Sequence, residues 1–199
     1  RDDGYHLLQT VFQLIDLADE LVLEALPGGT IELARHSDAP GGDDDLTLQA
    51  ARLLREATGA TSGARIELRK RIPAGGGLGG GSSDAATVLL GLDRLWGTNL
   101  GVDALSALGA RLGADVPVFV RGRTAWAEGV GEHLTPLETA PATYLIVVPD
   151  VHVETARIFR DPRLTRDTPL STMPAFFKTG GRNDCTPVTR ALYPEVGRA

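Results

Sequence analysis

The residues with the most chemical content run from Pro73 to Asp84, Pro-Ala-Gly-Gly-Gly-Leu-Gly-Gly-Gly-Ser-Ser-Asp. Six of the seven positions from Gly75 to Gly81 are glycine. Without Cβ atoms, their backbone N–H groups lie open to a ligand. Downstream, Ala85, Val88, Leu89, Leu92, Leu95 and Trp96 recur at helical spacing and predict a buried stripe on a helix from about Ser83 to Trp96. That helix would aim the positive end of its dipole at the loop, and the two together suit a phosphate. Ser82 and Ser83 add hydroxyl donors. Asp84 favours a helix start, although its charge would repel a phosphate placed too close. The Walker A pattern fails because Gly81 stands where its lysine belongs. Gly75, Gly77 and Gly80 formally satisfy G-x-G-x-x-G. The acidic partner about 20 residues on would be Asp93, which lies inside the helical pattern and not at a strand end.

Asp115 follows the helix-ending Leu112-Gly113 and precedes Val116-Pro117. It reads as a cap or turn residue, or as a carboxylate aimed at a substrate hydroxyl. Tyr5-His6 pairs an aromatic face with an imidazole that offers one donor and one acceptor, enough to read a base edge. A lone histidine is more often plain surface or core. Arg69-Lys70-Arg71 reads first as a solvated strand edge and second as charge compensation for phosphates. Glu128 and Glu132 flank Gly129-Val130-Gly131, whose backbone is the better candidate for approaching a substrate. His133 and His152 have no partners at metal-ligand spacing. Asp43-Asp44-Asp45 reads as a solvated loop run.

Several elements must position these groups. Leu21, Leu23 and Ala25 alternate with polar residues, as do Ile31 and Leu33 after Pro27-Gly28-Gly29. This predicts a β-hairpin over 20–35. Leu46, Ala50, Leu53, Leu54 and Ala57 mark a helix over 45–58, closed by Gly59. Ala64 to Arg71 alternates as a half-buried strand leading into the glycine loop. A helix is expected over about 103–112, strand-like pieces between Val116 and Val148, and a short helix over 154–159. Beyond Pro162 little periodicity is visible. This order is α+β.

The chain has 199 residues, 42% hydrophobic and 23% charged, so a packed core is expected and disorder is not. Twenty basic against 26 acidic residues leave a net charge of −6, which argues against a general nucleic-acid or anionic-membrane binder. Cys185 is the only cysteine, which excludes an intrachain disulfide and a Cys-x-x-Cys metal knuckle. The longest clean apolar run, Tyr144 to Val148, is far short of the roughly 20 residues that span a bilayer. The chain opens on Arg1, so targeting is not judged from this end.

Pro73 to Thr87 resembles the phosphate loop of the GHMP kinases, which include galactokinase and the homoserine, mevalonate and phosphomevalonate kinases. Asp3-Gly4-Tyr5-His6-Leu7-Leu8-Gln9-Thr10, Gly113 to Phe119 and Ala127 to Glu132 narrow the resemblance. They point to the branch that phosphorylates a cytidine-diphosphate-linked sugar alcohol of the non-mevalonate isoprenoid pathway. Asn183-Asp184-Cys185 and Tyr193-Pro194-Glu195-Val196 fit the same branch.

The resemblance implies the GHMP kinase fold. A ribosomal protein S5 domain 2-like domain would occupy 1–140 without its first strand, and 141–199 would begin a ferredoxin-like C-terminal domain. It implies ATP as donor, accompanied by Mg²⁺. The metal ligand is left open, with Ser83 as the nearest candidate. Pro73, Ala74, Gly75, Gly76, Gly77, Leu78, Gly79, Gly80, Gly81, Ser82 and Ser83 would hold ATP, and Asp115 would be the catalytic base. His6 would hydrogen-bond the cytosine and Tyr5 stack on it, with Phe12, Thr155 and Phe159 completing the substrate contacts. It implies a cytoplasmic enzyme without nucleic-acid or membrane partners.

The family commonly has Asn where Asp45 stands near the adenine. The Lys and Asn it carries before Asp-Gly-Tyr-His would fall ahead of Arg1, and its C-terminal glycine-rich loop beyond Ala199. A complete chain of roughly 280 residues is expected. Another GHMP small-molecule kinase, or a nucleotide-binding chain without activity, are the other readings.

Overall fold

A computed structural model of the chain describes residues 8–35 and 44–199, so Tyr5 and His6 lie outside the described residues. The chain divides into two compact units. One takes the chain up to Ala74 together with Gly79–Thr139, and the other takes Gly75–Leu78 together with Ala140–Ala199.

The first unit holds β1 (Thr10–Phe12), β2 (Glu20–Leu26), β3 (Ile31–Arg35), α1 (Leu46–Thr58), β4 (Gly63–Arg69), α2 (Gly80–Trp96), α3 (Val102–Leu112), α4 (Val116–Arg121), β5 (Ala125–Glu128) and β6 (His133–Pro136). One sheet runs β2-β4-β3 and a second runs β1-β5-β6. In the first sheet Leu23 and Leu33 flank Ile66 in register, and Leu21 faces Leu68. This apolar face is the one read from the alternation. It packs with α1 and α2 into a core that includes Ala50, Leu54, Ile66, Val88, Leu89 and Leu92. Each large side chain buried there contributes roughly 1.5–3 kcal/mol.

The predicted hairpin over 20–35 is not formed. β2 and β3 run in opposite directions, but β4 lies between them, antiparallel to β2 and parallel to β3. Parallel neighbours need a crossover, and α1 supplies it between β3 and β4. Gly63 makes the insertion possible. A Cβ there would strike the Thr30 carbonyl oxygen and come 2.8 Å from that of Gly28. The next residue, Ala64, donates its N–H to the Thr30 carbonyl at 2.9 Å.

α1 begins and ends where the sequence places it, but Asp45 is no solvated loop residue. It is the buried N-cap, accepting from the Thr47 N–H at 2.8 Å. Ala57 is exposed. α2 starts three residues earlier than expected, so Gly80 to Ser82 are helical, and Leu95 stands 47% exposed outside the buried stripe. Val116–Arg121 is a helix and not a strand. Pro117 pre-sets its first turn, and Val116 and Val120 are one helical turn apart against the core. Tyr144 to Val148 forms no strand and is exposed throughout.

The second unit contains α5 (Thr155–Arg160), α6 (Met173–Thr179), α7 (Cys185–Leu192) and α8 (Pro194–Arg198). The last three contradict the period-poor reading beyond Pro162. They are short, and their cues are caps more than periodicity. Thr172 caps α6 by accepting from the Ala175 N–H, and Pro174 and Pro194 sit in the first turns of α6 and α8. Ile158, Leu164, Val188 and Tyr193 form this unit's core. The Tyr193 hydroxyl accepts from the Glu154 N–H at 3.2 Å, and the Arg157 guanidinium lies 5.8 Å from the Tyr193 ring centre. Among the described residues no helix is long and apolar enough to cross a membrane.

Candidate active site

The glycine loop owes its path to left-handed backbone at alternate positions. Gly75, Gly77 and Gly79 have φ of +72°, +72° and +69°. Gly79 is the N-cap of α2, and a Cβ on it would lie 2.9 Å from the Phe119 ring. Glycine is therefore required there by conformation and by space. The Ser83 N–H donates to the Gly79 carbonyl at 2.9 Å. The N–H groups ahead of it, on Gly80, Gly81 and Ser82, are the helix-start donors that have no partner within the helix. The expected ATP segment thus comprises a loop from Pro73 to Gly79 and a first helical turn from Gly80 to Ser83.

Asp115 stands in the N-cap position of α4, yet its side chain makes no capping hydrogen bond. Burial pushes its carboxyl above the ordinary aspartate range. The turn carrying it approaches two other parts of the same unit. A Cβ on Gly113 would sit 3.9 Å from the Ser82 hydroxyl, and one on Gly131 would sit 3.6 Å from the Ala114 carbonyl oxygen. The structure therefore brings together the start of α2, the Asp115 turn and the Gly129-Val130-Gly131 turn. The two glutamates flanking that last turn brace it and do not form a carboxylate pair. Glu132 accepts from the Val130 N–H at 2.6 Å, and Glu128 accepts from the Gln9 amide at 2.9 Å.

Lys70 is not a solvated edge residue, its side chain being only 15% exposed. Its ammonium is paired with the carboxylate of Asp19 and, at 2.8 Å, with that of Asp84. The Asp19 and Asp84 side chains are 2% and 4% exposed. Burial raises the Asp84 carboxyl to about 6, against the pull of Lys70. Burial also opposes the Asp19 charge. The hydrogen bonds from Lys70, Ile72 and Arg71 outweigh it and hold Asp19 below the usual range. Asp19 carries no sequence signal of its own, since it is one acidic residue ahead of a strand. Asp93, the formal acidic partner of the G-x-G-x-x-G match, closes α2 by accepting from Thr98 and from the Leu100 N–H.

Phe12 sits on β1 opposite Ala125. Thr155 is exposed at the first position of α5, and Phe159 packs at the margin of the second unit's core. Phe12 belongs to the first unit and the other two to the second. The His152 ring lies against Gly75. Exposed His133 lies 3.4 Å from Glu132. Among the described residues no group of three or more His, Cys, Asp or Glu could hold a metal ion.

The family description "GHMP kinases N terminal domain" matches residues 45–123, which include α1, β4, the glycine loop, α2 and Asp115. The 4-diphosphocytidyl-2-C-methyl-D-erythritol kinase of Ectopseudomonas mendocina (strain ymp) is 55% identical over 199 residues, covering all of this chain and 68% of the relative. A crystal structure of 4-(cytidine 5'-diphospho)-2C-methyl-D-erythritol kinase superposes with a TM-score of 0.80 at 38% identity, over all of this chain and 74% of that one. Homoserine kinase from Cytophaga hutchinsonii shares the fold, with a TM-score of 0.56 at 19% identity over 76% of this chain and 53% of that one. With the phosphate-loop helix and the Asp115 turn in one unit, and identity of this extent, the chain belongs to the 4-diphosphocytidyl-2-C-methyl-D-erythritol kinase family of the GHMP kinases.

Proposed function

We propose that the protein transfers the γ-phosphoryl group of ATP to the 2-hydroxyl of 4-diphosphocytidyl-2-C-methyl-D-erythritol, a step of the non-mevalonate isoprenoid pathway. The observation that carries the chemistry is a carboxylate without a capping role, Asp115, on a turn that abuts the first turn of α2 through Gly113 and Ser82. Phosphoryl transfer requires a held triphosphate and an oriented, deprotonating hydroxyl, with little covalent work by the protein. The backbone of Pro73 to Gly79 and the first turn of α2 supply the anion site. Asp115 accepts the hydroxyl proton, and the carboxyl its burial has raised is a stronger base than an ordinary aspartate.

Mg²⁺ accompanies ATP in this reading. It favours hard oxygen donors and usually keeps phosphate and water among its ligands, so a protein cage is not needed. The Ser83 hydroxyl, on the first turn of α2, is the side-chain oxygen best suited to it, and the ion would neutralise phosphate charge. Tyr5 and His6 take the cytosine, with Phe12, Thr155 and Phe159 as further acceptor contacts. Stacking of an aromatic on a base contributes about 1–3 kcal/mol. Residues 1–140 form the nucleotide- and acceptor-binding domain, and 141–199 belong to the next; the compact division at Thr139 and Ala140 supports that boundary. ATP as donor supports a cytoplasmic location.

The test is ADP release from ATP with the diphosphocytidyl substrate, homoserine or mevalonate as acceptor. Turnover confined to the first is the expected result. Equal or better turnover with either of the others would sink the acceptor assignment.

A further inference from the structure

The glycine loop has a neck. A Cβ on Gly80, where the loop ends, would sit 3.0 Å from the Ile72 side chain, where the loop begins, and 3.2 Å from the Lys70 ammonium. Three charges meet at that neck, two buried carboxylates and a partly buried ammonium. Asp19, just ahead of β2, accepts from the Arg71 N–H at 2.5 Å and the Ile72 N–H at 2.9 Å with one carboxylate oxygen, and binds Lys70 with the other. Lys70, just past the end of β4, also binds Asp84 in α2 at 2.8 Å. The three side chains thus join a strand start, the entry of the loop and the helix at its exit. Lys70 has both carboxylates beside it, so its charge is already satisfied within the protein.

We infer that Asp19, Lys70 and Asp84 are positioning residues that fix the two ends of the phosphate loop, and so set nucleotide affinity without touching the nucleotide. This inference rests on the kinase reading above. A loop with four glycines in seven residues loses much conformational freedom when ordered. Fixing its entry and exit beforehand lowers what ATP must supply on binding. Asp19 carries the most weight, because one of its oxygens holds two successive backbone N–H groups, that of exposed Arg71 and that of buried Ile72.

The test is ATP binding to the full chain by calorimetry without acceptor, followed by KM for each substrate. Asp19→Ala should weaken ATP binding about tenfold or more, while KM for the diphosphocytidyl substrate at saturating ATP stays within about twofold. Asp19→Asn retains an acceptor oxygen for the two N–H groups and should recover most of that loss. Should Asp19→Ala fail to fold, Lys70→Met, which removes the ammonium that both carboxylates share while keeping most of the stem, should show the same selective loss. Unchanged ATP affinity in folded variants would overturn the inference. So would equal losses for ATP and acceptor, or no rescue by Asn. A wild-type chain that binds ATP but ignores the cytidyl substrate would count against the acceptor assignment alone, since the calorimetric comparison still decides the network.

Discussion

At the scale of single residues, Asp115 divides two readings of one carboxylate. A cap uses its side-chain oxygen on the helix-start N–H groups, and Asn does this about as well as Asp. Asp115 occupies the cap position without making that bond. Asp115→Asn should therefore leave the fold and ATP affinity near wild type while turnover falls by roughly 10²–10⁴; near-normal turnover in steady-state assays would return Asp115 to a structural role. As the proposed base, Asp115 would work only when ionised. Because burial raises its pKa, activity should be lost on acidification at a pH above the usual aspartate range. A pH–rate profile locates that limb, and Asp115→Asn should abolish it. Gly79 is the second residue to test. Its φ of +69° disfavours any side chain, and the Phe119 ring occupies the space a Cβ would need. Gly79→Val should lose about 1–3 kcal/mol of stability and weaken ATP binding in titrations, with the acceptor barely affected.

Among the elements, β4 is central. It leads into the glycine loop, and its position between β2 and β3 aligns that loop with the start of α2. The insertion depends on one glycine beneath the connection from β2 to β3. Gly63→Ala should force the Thr30 carbonyl or the strand start to move, at a cost of about 1–3 kcal/mol. Urea unfolding measures this, and a change within a few tenths of a kcal/mol would mean that the connection yields freely. The turn over 129–131 is a smaller case. Its shape comes from Gly129 and Gly131 at positive φ and from the Glu132 carboxylate folded back onto the Val130 N–H.

Over the whole molecule, the buried charge cluster should be visible in stability. Asp84 titrates near 6 in the folded state against an ordinary 3.8. Between those values the folded chain holds a proton that the unfolded chain has released. The contribution of Asp84 to stability therefore falls as pH rises through that window, by up to about 1.4 kcal/mol per unit. Asp19 is shifted the other way, so its contribution is present above the ordinary aspartate pKa and is lost as pH falls through its lowered folded value. Asp84→Asn should flatten the wild-type slope between pH about 4 and 6 in denaturant titrations. Parallel slopes for the two proteins would show that Asp84 stays ionised beside Lys70 throughout.

The sequence by itself determined whatever local pattern encodes. The α1 boundaries follow from apolar spacing and a terminal Gly59, the inward faces of β2, β3 and β4 from alternation, and the place of the glycine loop from glycines set between a strand and a helix. The family resemblance was legible in the same way, as contiguous motifs around the loop and Asp115. Only the tertiary structure decided what depends on which distant segments meet. β4 splits the expected hairpin because a crossover helix delivers it there, and no residue within 20–35 encodes that. Lys70 looked solvated because its partners, Asp19 and Asp84, lie 51 and 14 residues away. The Val116–Arg121 valines read as a strand until their burial against the core one helical turn apart made them a helix. Periodicity and propensity act within a few residues, whereas burial and charge pairing act across the chain, so a single acidic residue such as Asp19 acquires its role only when the fold closes.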